Sequence, residues 1–245
     1  MPKFFASECD LREEYIVISG ANADHLRVLR VRAGEELIVS DGRGLEARCA
    51  VDLAGKDGCR LQVLERMPAA GEATVSAVVY AAFPKGDKAE TIVQKSVELG
   101  AESVVFFLSS RCVARPDNKS AAGKIERLGK VAEAAAMQSG RGKIPTVRWV
   151  PKYADMLSEA AGAELRAFLW EDADGCSLRS LMQHSAPFSS AALITGPEGG
   201  FSAEEAAQAR EAGIPSVTLG KRILRCETAP LCALAALMYE TGNLD

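Results

Sequence analysis

Two glycine-containing segments near the C-terminus have the residue types of a ligand-binding site. The first reads Gly196-Pro197-Glu198-Gly199-Gly200 and follows an apolar run at residues 191–195. The second runs from Gly220 to Arg225 and follows an apolar run that ends at Leu219. Glycine adopts positive φ angles and lets the backbone approach a ligand closely. Because strand-to-helix turns of a parallel sheet open at one edge, we expect both loops to line a single pocket.

The composition of these loops narrows the class of ligand. Neither loop matches G-x-G-x-x-G or G-x-x-x-x-G-K-[ST], which disfavours a dinucleotide cofactor or a P-loop phosphate. In the second loop the cations Lys221, Arg222 and Arg225 flank Ile223 and Leu224. Two interpretations have equal weight: cations that contact anions or carbonyl groups of a ligand, and a surface loop whose cations pair with nearby acids.

The chain lacks the residues of the common hydrolytic mechanisms. It has two histidines, His25 and His184, which are far apart in sequence, and it has no G-x-S-x-G motif. Its seven cysteines form no C-x-x-C pair, which predicts neither a zinc site nor a disulfide framework. Any reaction is therefore expected to depend on an activated cosubstrate and on positioning, without a metal.

Positive charge is concentrated in one segment of a chain whose net charge is negative. The formal net charge is −4, yet residues 111–152 hold ten Lys and Arg against three acids. Such a segment indicates either a phosphate-binding surface or the solvated face of a helix. Gln138 and Arg141 lie at the predicted end of a helix in this segment, where nucleic-acid contact and helix capping are both open interpretations.

Two further groups of polar residues are candidates for nucleic-acid contact. His25, Arg27, Arg30 and Arg32 form a basic cluster in the N-terminal region, although a solvated face is the safer interpretation from sequence alone. The run Pro84-Lys85-Gly86-Asp87 leads into a predicted helix that carries Gln94 and Lys95. The start of that helix would face a ligand or nucleic acid if it shares the sheet edge of the glycine loops, and a plain loop is the alternative.

Two kinds of sequence pattern indicate two domains. Up to about residue 68, short alternating runs with Asp-Gly turns at 41–42 and 57–58 predict a small β-barrel. Breakers and small residues at 67–72 mark a junction. Beyond it, apolar runs alternate with helical patterns, which predicts an α/β domain with a parallel sheet and crossover helices. The predicted domains are 1–70 and 71–245; in the second, strands are predicted at 75–83, 104–108, 147–150, 167–170, 191–195 and 217–219, and helices at 87–99, 120–138, 153–161, 202–212 and 228–239.

The apolar runs of the chain are short. The N-terminal residues lack the long apolar stretch of a secretory signal, and the longest apolar run, within residues 229–239, is too short to span a bilayer. We therefore expect a cytoplasmic protein with reduced thiols and no membrane partner.

Taken together, these segments resemble the RsmE family, the 16S ribosomal RNA uridine-N3 methyltransferases of the SPOUT superfamily. The resemblance spans nearly the whole chain, and its most specific motifs are Gly196-Pro-Glu-Gly-Gly-Phe-Ser202 and the run from Leu219 to Ala229. The family usually has Glu where this chain has Met137. The remaining matches are His25 to Arg32 with Gly34, Asp41-Gly42, Pro84-Lys-Gly-Asp87, Gln94-Lys95 with Glu98-Leu-Gly100, and Gln138-Ser-Gly-Arg141.

The resemblance implies a PUA-like RNA-binding β-barrel followed by an α/β domain with a deep trefoil knot, a departure from the general absence of knots. It also implies S-adenosylmethionine bound in the knot, 16S rRNA of the small ribosomal subunit as substrate, and a homodimer whose partner helps to complete the RNA site. The implied cosubstrate-binding residues are Leu169, Thr195, Gly196, Pro197, Glu198, Gly199, Gly200, Leu219, Gly220, Arg222, Ile223, Leu224 and Thr228. The implied RNA-binding residues are His25, Arg27, Arg30, Arg32, Lys85, Lys95, Gln138 and Arg141.

The mechanism implied by the resemblance needs little chemical apparatus. Because the sulfonium is an excellent leaving group, the protein mainly has to align the methyl group with uridine N3 and favour loss of the N3 proton. Arg225 is expected to stabilise negative charge on the uridine carbonyls, with Glu198 or Glu227 orienting groups nearby. The alternatives are a SPOUT methyltransferase that acts on tRNA or on a ribose 2′-hydroxyl, and a non-catalytic RNA-binding protein of ribosome assembly.

Overall fold

The computed structural model describes residues 1–6, 9–28, 30–55, 58–173 and 176–244, without the side chains of Ala21, Asn22 and His25. By proximity of Cα atoms the chain divides into two compact units. The first comprises Met1–Glu72 together with Ala136–Ile144, and the second comprises Ala73–Ala135 and Pro145–Asp245. The sequence prediction assigned all of 71–245 to one domain and did not anticipate that residues 136–144 group with the N-terminal unit.

The N-terminal unit is built on a five-stranded mixed sheet of order β1-β3-β4-β5-β2. Strands β1 and β3 run parallel, and the other neighbouring pairs run antiparallel. Alternation along the strands explains the core, since in β2 Ile16 and Ile18 are buried while Tyr15 and Val17 are exposed. The elements are β1 Lys3–Phe5, β2 Tyr15–Ile18, helix α1 Gly20–Val28, β3 Glu36–Ser40, β4 Leu45–Ala54 and β5 Cys59–Pro68.

One of the two Asp-Gly turns predicted for this unit can be described. Asp41 accepts hydrogen bonds from the amides of Arg43 and Leu45 at 2.7 and 3.0 Å, and Gly42 has a φ of 71°. These contacts close the hairpin between β3 and β4, as the sequence predicted. The second predicted turn includes Asp57, which lies outside the described residues.

The segment 136–144 is held in the N-terminal unit by close packing and hydrogen bonds. Gly142 lies so close to Ala69 that a Cβ at position 142 would come within 1.9 Å of the Ala69 Cβ. The Ser40 hydroxyl donates to the Gly142 carbonyl at 2.8 Å. Only glycine fits at position 142, so this close packing requires a residue without a side chain.

The second unit has a six-stranded parallel sheet of order β11-β9-β10-β6-β7-β8, as the α/β pattern predicted. Its strands are β6 Ser76–Ala82, β7 Ser103–Phe107, β8 Thr146–Trp149, β9 Leu165–Leu169, β10 Ser190–Thr195 and β11 Ser216–Val217. Its helices are α2 Lys88–Glu98, α3 Asn118–Gln138, α4 Tyr153–Ala160, α5 Leu178–His184, α6 Ala203–Glu211 and α7 Ala229–Glu240, and the last turn of α3 belongs to the segment that groups with the first unit.

The strand order places the glycine loops at a topological switch point. From β6 the sheet continues through β7 and β8 on one side, and through β10, β9 and β11 on the other. Ligands of open α/β sheets bind where strand order reverses, at the carboxyl ends of the strands. The loops that follow β6, β9, β10 and β11 therefore meet at one edge. The trefoil knot implied by the resemblance stays a prediction.

Candidate functional site

Two adjoining cavities lie at the carboxyl edge of the parallel sheet. Their volumes are about 440 and 170 Å³. Both are lined by residues from the end of β9, the second glycine loop and the start of α7, namely Leu169, Glu171, Ile223, Leu224 and Ala229. The larger is also lined by Thr195, Gly196, Pro197, Glu198, Gly199, Gly200, Phe201, Arg225 and Cys226, and the smaller by Trp170, Val217, Thr218, Leu219, Gly220, Lys221 and Arg222.

The structure brings together nearly all the residues predicted from sequence to bind a cosubstrate. Each of them except Thr228 lines one of the two cavities. Thr228 stands at the N-cap position of α7, directly before the lining residue Ala229, and its side chain makes no capping hydrogen bond. The predicted pocket is therefore present as a cavity, and the binding of a ligand by its residues stays a prediction.

The 196–200 loop is anchored by the aromatic side chain that follows it. Phe201 is buried and lies 4.1 Å from Phe168 between ring centroids. The loop folds back over this ring, since a Cβ at Gly196 would lie 3.2 Å from Phe201. The next helix begins with a complete capping box of Ser202 and Glu205, which confirms the S-x-x-E prediction.

Gly200 meets a second requirement for glycine in this loop. It has a φ of 65°, and its amide donates to the Pro197 carbonyl at 3.0 Å. A Cβ at this position would lie 2.4 Å from Oε1 of Glu171, on the neighbouring cavity wall. The absence of a side chain thus leaves room for Glu171, an acidic residue at the cavity edge.

The second loop is shaped by a serine/threonine-type turn. The Gly220 amide donates to the Thr218 hydroxyl at 3.1 Å, and the φ of Gly220 is 109°. Ile223, near the end of this loop, is 86% exposed although it lines both cavities. The loop therefore presents apolar surface and open backbone to whatever fills the cavity.

Arg225 closes the second loop at the larger cavity. Its side chain is exposed, and its carbonyl oxygen accepts hydrogen bonds from the amides of Thr228 and Ala229 at 2.8 and 2.9 Å. These bonds fix the backbone of Arg225 relative to α7. The guanidinium is left at the mouth of the cavity, where it can meet an anionic group.

Lys88, to which no sequence motif assigns a role, joins the first loop to the segment before α7. The ammonium group of Lys88 lies 3.4 Å from Oε1 of Glu198, 3.1 Å from Oε2 of Glu227 and 3.6 Å from Sγ of Cys226. Glu198 Oε1 also accepts the Lys85 amide at 3.1 Å. The acid predicted to act in catalysis is therefore held by the loop that precedes α2.

The protonation states of this cluster follow from burial and pairing. Burial opposes ionisation of Glu198, but hydrogen bonds from its own amide, the Lys85 amide and Lys88 hold its pKa below the ordinary value. Glu227 is lowered in pKa in the same way, against burial, by its own amide, Cys226 and Lys88. Burial, followed by the bond to Glu227, raises the pKa of Cys226 to about 12. The cluster thus holds two carboxylates, one ammonium and a neutral thiol.

Many cations of the 111–152 segment are engaged by protein groups. Arg111 donates to the carbonyls of Gly199 and Phe201, both at 3.1 Å, and so braces the first glycine loop. Arg115 donates to the Ser109 carbonyl at 2.9 Å. Several others form ion pairs: Arg127 with Glu90, Lys130 with Glu126, Arg141 with Glu72 and Arg148 with Glu159. Much of this basic segment stabilises its own fold, and the surface left for phosphate is smaller than its charge suggests.

Arg141 is the predicted RNA-binding residue with the least exposed side chain of those described. Its side chain is 5% exposed, and its Nη2 donates to Glu72 Oε2 at 2.7 Å. Glu72 also accepts the amides of Gly142 and Lys143, both at 3.0 Å. The guanidinium could contact RNA only if its ion pair with Glu72 opened. In the structure, Glu72 and Arg141 form a brace that holds residues 141–143 within the N-terminal unit.

Two of the four residues of the predicted N-terminal basic cluster line a separate cavity of the N-terminal unit. Arg27 and Arg30 contribute to a cavity of about 600 Å³ with Leu26, Cys59 and neighbouring residues. Arg30 has a φ of 55°, in the left-handed region that residues other than glycine seldom adopt. Arg32 is exposed, and the His25 side chain lies outside the described residues.

The other predicted RNA-binding residues are exposed or half-buried. Lys85 and Gln138 are exposed, Gln138 at the end of α3. Lys95 pairs with Glu98 on the same helix at 2.8 Å. In the described ranges no group of three or more His, Cys, Asp or Glu side chains is arranged to hold a metal ion. Nor does that part of the chain contain a helix of the length and apolarity that crossing a membrane requires.

Known protein families match both units. The model of an RNA methyltransferase PUA domain matches residues 18–64, and that of an RNA methyltransferase domain matches residues 72–238. The parallel sheet, the paired glycine loops and these matches define an RNA methyltransferase with an N-terminal PUA domain, which confirms the predicted α/β domain, the PUA-like domain and the methyltransferase class.

Full-length relatives narrow this class. Ribosomal RNA small subunit methyltransferase E of Bacillus subtilis is 35% identical over 232 residues, which cover 93% of this chain and 91% of that protein. The protein of the same name from Mycobacterium bovis is 35% identical over 235 residues, covering 94% and 88%. The chain belongs to the ribosomal RNA small subunit methyltransferase E family, as its motifs predicted.

Solved structures agree with this assignment. The crystal structure of ribosomal RNA small subunit methyltransferase E from Neisseria gonorrhoeae, bound to S-adenosyl methionine, has a TM-score of 0.83 at 30% identity and covers 98% of both chains. A methyltransferase from Legionella pneumophila in complex with the same cofactor has a TM-score of 0.79 at 29% identity, covering 92% of both chains.

Proposed function

We propose that this protein transfers a methyl group from S-adenosylmethionine to N3 of a uridine in 16S rRNA of the small ribosomal subunit. The observation that carries the proposal is the double cavity formed by the two glycine loops at the switch point of the sheet, in a member of this family. The family assignment supports the rRNA substrate. The position N3 rests on the resemblance of the motifs.

The residues of the cavity suit S-adenosylmethionine. Its larger part, about 440 Å³, lies in the range of roughly 300–1,000 Å³ that small-molecule sites occupy. Leu169, Leu224 and Ala229 offer apolar contacts for a base, and the loops leave backbone where a Cβ at Gly196 or Gly200 would collide. When bound, S-adenosylmethionine supplies an electrophilic methyl group on a sulfonium.

The protein's own residues then have three tasks. The 196–200 and 220–224 loops hold the donor through backbone groups and exclude water from it. The Arg225 guanidinium, at the mouth of the cavity, stabilises negative charge on the uridine carbonyls as the N3 proton passes to solvent. Glu198 orients polar groups beside it. Arg27, Arg30 and Arg32 contact RNA phosphates from the PUA domain.

We propose that the protein acts in the cytoplasm, in keeping with a ribosomal substrate, and that it acts there as a homodimer. The dimer rests on the resemblance alone. Light scattering of the purified protein should give twice the mass of one chain, and a monomer under conditions of full activity would exclude the dimer as the active form.

The test of the function combines binding and transfer. Calorimetry should show saturable binding of S-adenosylmethionine, and labelled methyl groups should enter small ribosomal subunits but neither tRNA nor ribose 2′-hydroxyls. The modified nucleoside should be 3-methyluridine by mass spectrometry. Label in tRNA or on ribose would favour another RNA methyltransferase, and absence of both binding and transfer would favour a non-catalytic RNA-binding protein.

A further inference from the structure

We propose that Lys88 is a positioning residue for methyl transfer, because its ammonium group ties the first glycine loop to the segment that carries Arg225. The inference rests on the proposed function of this cavity. It extends that function to a residue outside both glycine loops, at the start of α2.

The contacts of Lys88 connect two segments that are distant in sequence. Glu198 belongs to the loop after β10, and Glu227 to the turn before α7. The ammonium group lies 3.4 Å from the first carboxylate and 3.1 Å from the second. Cys226, whose Sγ donates to Glu227 at 3.2 Å, completes the cluster and directly follows Arg225.

The cluster is shielded enough for the ion pairs to matter. The side chains of Lys88, Glu198 and Glu227 are 26%, 16% and 28% exposed. Pairs at this depth are screened less than surface pairs, and two carboxylates beside each other repel when the cation between them is removed. Without Lys88 the two segments would lose their link and gain a repulsion.

The consequence for catalysis follows from which residues line the cavity. Glu198, Arg225 and Cys226 all line its larger part. A shift between the 196–200 loop and residues 225–227 would move the Arg225 guanidinium relative to the donor methyl group. Misplacement of about 1 Å can cost about 100-fold in rate.

The test compares Lys88→Met and Lys88→Arg with a control, Arg210→Met, in the full chain. Arg210 lies in the last turn of α6, outside the lining of both cavities. We expect Lys88→Met to lower kcat/KM for small ribosomal subunits by about 100-fold. Lys88→Arg should retain most of the activity because arginine can also bridge two carboxylates. Arg210→Met should match the wild type.

A pH profile separates positioning from a loss of folded protein. The groups that face Glu198 are Lys88 from α2 and Glu227 and Cys226 from the turn before α7. Without the cation the pKa of each carboxylate rises, so the acid limb of kcat/KM in Lys88→Met should move to higher pH. Wild-type rates, or an unmoved acid limb, in folded Lys88→Met would overturn the inference, as would an equal loss in Lys88→Arg.

A second variant covers the case in which Lys88→Met does not fold. Glu227→Gln keeps the size of the side chain and removes one of the two ion pairs, so its rate should fall in the same direction. An unchanged rate in Glu227→Gln contradicts the link. If the wild-type protein itself transfers no methyl group, the proposed function fails; if it does and the Lys88 variants behave as wild type, only the role of Lys88 fails.

Discussion

At the scale of single residues, the site depends on where side chains are absent as much as on where they are present. Gly196 and Gly200 leave space that Phe201 and Glu171 occupy. The glycine requirement was predictable from the loop motif. The role of Lys88 was not, because Glu198 and Glu227 lie far from it in sequence and only the fold brings the three charges together.

Replacing the arginine at the cavity mouth should affect the chemical step. For Arg225→Ala we expect kcat to fall about 100- to 1,000-fold, the usual cost of removing one donor to a developing oxyanion. Affinity for S-adenosylmethionine should stay near the wild-type value, because the proposed partner of the guanidinium is the uridine and not the donor. Arg225→Lys, which keeps the charge, should recover part of the rate. Steady-state kinetics measure kcat, and calorimetry measures the affinity for S-adenosylmethionine. An unchanged kcat in Arg225→Ala would contradict the proposed role of Arg225.

Adding a methyl group at Gly200 should weaken donor binding. Gly200→Ala carries about 1 kcal/mol of backbone strain at its φ of 65° and displaces Glu171 from the cavity wall. We expect its dissociation constant for S-adenosylmethionine to rise about tenfold, or ~1.4 kcal/mol.

The matched control for this change is Gly213→Ala. Gly213 has a φ of 75° and lies after α6, outside the lining of both cavities. In thermal unfolding, Gly213→Ala should lose about as much stability as Gly200→Ala, but it should keep the wild-type affinity for the donor. Equal affinities in the two variants would show that Glu171 and Gly200 do not shape the donor site.

At the scale of elements, periodic patterns and local capping were readable from the sequence. The alternating strand and helix pattern and the Ser202–Glu205 capping box are confirmed. Strand β1 and helix α5 escaped prediction, because three and seven residues carry too little periodicity. The placement of residues 136–144 in the N-terminal unit depends on Gly142 fitting against Ala69, a long-range contact without a local signal.

The brace that holds this segment makes a testable prediction about stability. Burial opposes ionisation of Glu72, but Arg141 and the amides of Lys143 and Gly142 hold its pKa below the ordinary 4.5. A lowered carboxyl pKa contributes stability that is present above the unfolded value and is lost as pH falls through the folded one. Glu72→Gln should therefore cost about 3 kcal/mol at neutral pH, since it breaks a buried ion pair by removing one of its two charges.

Denaturant unfolding over a pH series measures this contribution. The free energy of unfolding of Glu72→Gln should depend less on pH than that of the wild type as pH falls below the ordinary carboxyl pKa of 4.5. Glu65→Gln is the control, because Glu65 pairs with Arg48 at the surface and is 58% exposed. It should cost less than about 1 kcal/mol. Equal costs in the two variants would contradict a structural role for the Glu72 brace.

At the scale of the whole molecule, net charge is a poor guide to the partner. The formal net charge of the chain is −4. Several cations of the basic 111–152 segment form ion pairs with carboxylates elsewhere in the chain, as Arg127 does with Glu90 and Arg148 with Glu159. Arg30 and Arg32 of the N-terminal cluster are the better candidates for phosphate contact, because Arg30 lines a cavity and Arg32 is exposed, whereas Arg27 pairs with Asp24.

RNA affinity should therefore fall steeply as the salt concentration rises, and the N-terminal cluster should contribute part of this dependence. Each phosphate contact contributes roughly −0.7 to −0.9 to the slope of log affinity against log salt concentration. Arg30→Gln should weaken binding to small ribosomal subunits. It should also make the slope shallower by about 0.7 to 0.9, the contribution of one phosphate contact. Filter binding over a salt series measures the slope. A slope unchanged in Arg30→Gln would remove Arg30 from the RNA surface.

Mass-spectrometric mapping of small-subunit rRNA shows whether this protein methylates one uridine there. The rRNA is taken from cells that lack this protein and from the same cells after return of either the wild-type protein or Arg225→Ala. We predict a single 3-methyluridine that disappears without the protein, returns with the wild type and stays scarce with Arg225→Ala. An identical set of methylated nucleosides in all strains, or the loss of a methyl group from another atom, would contradict the proposed reaction.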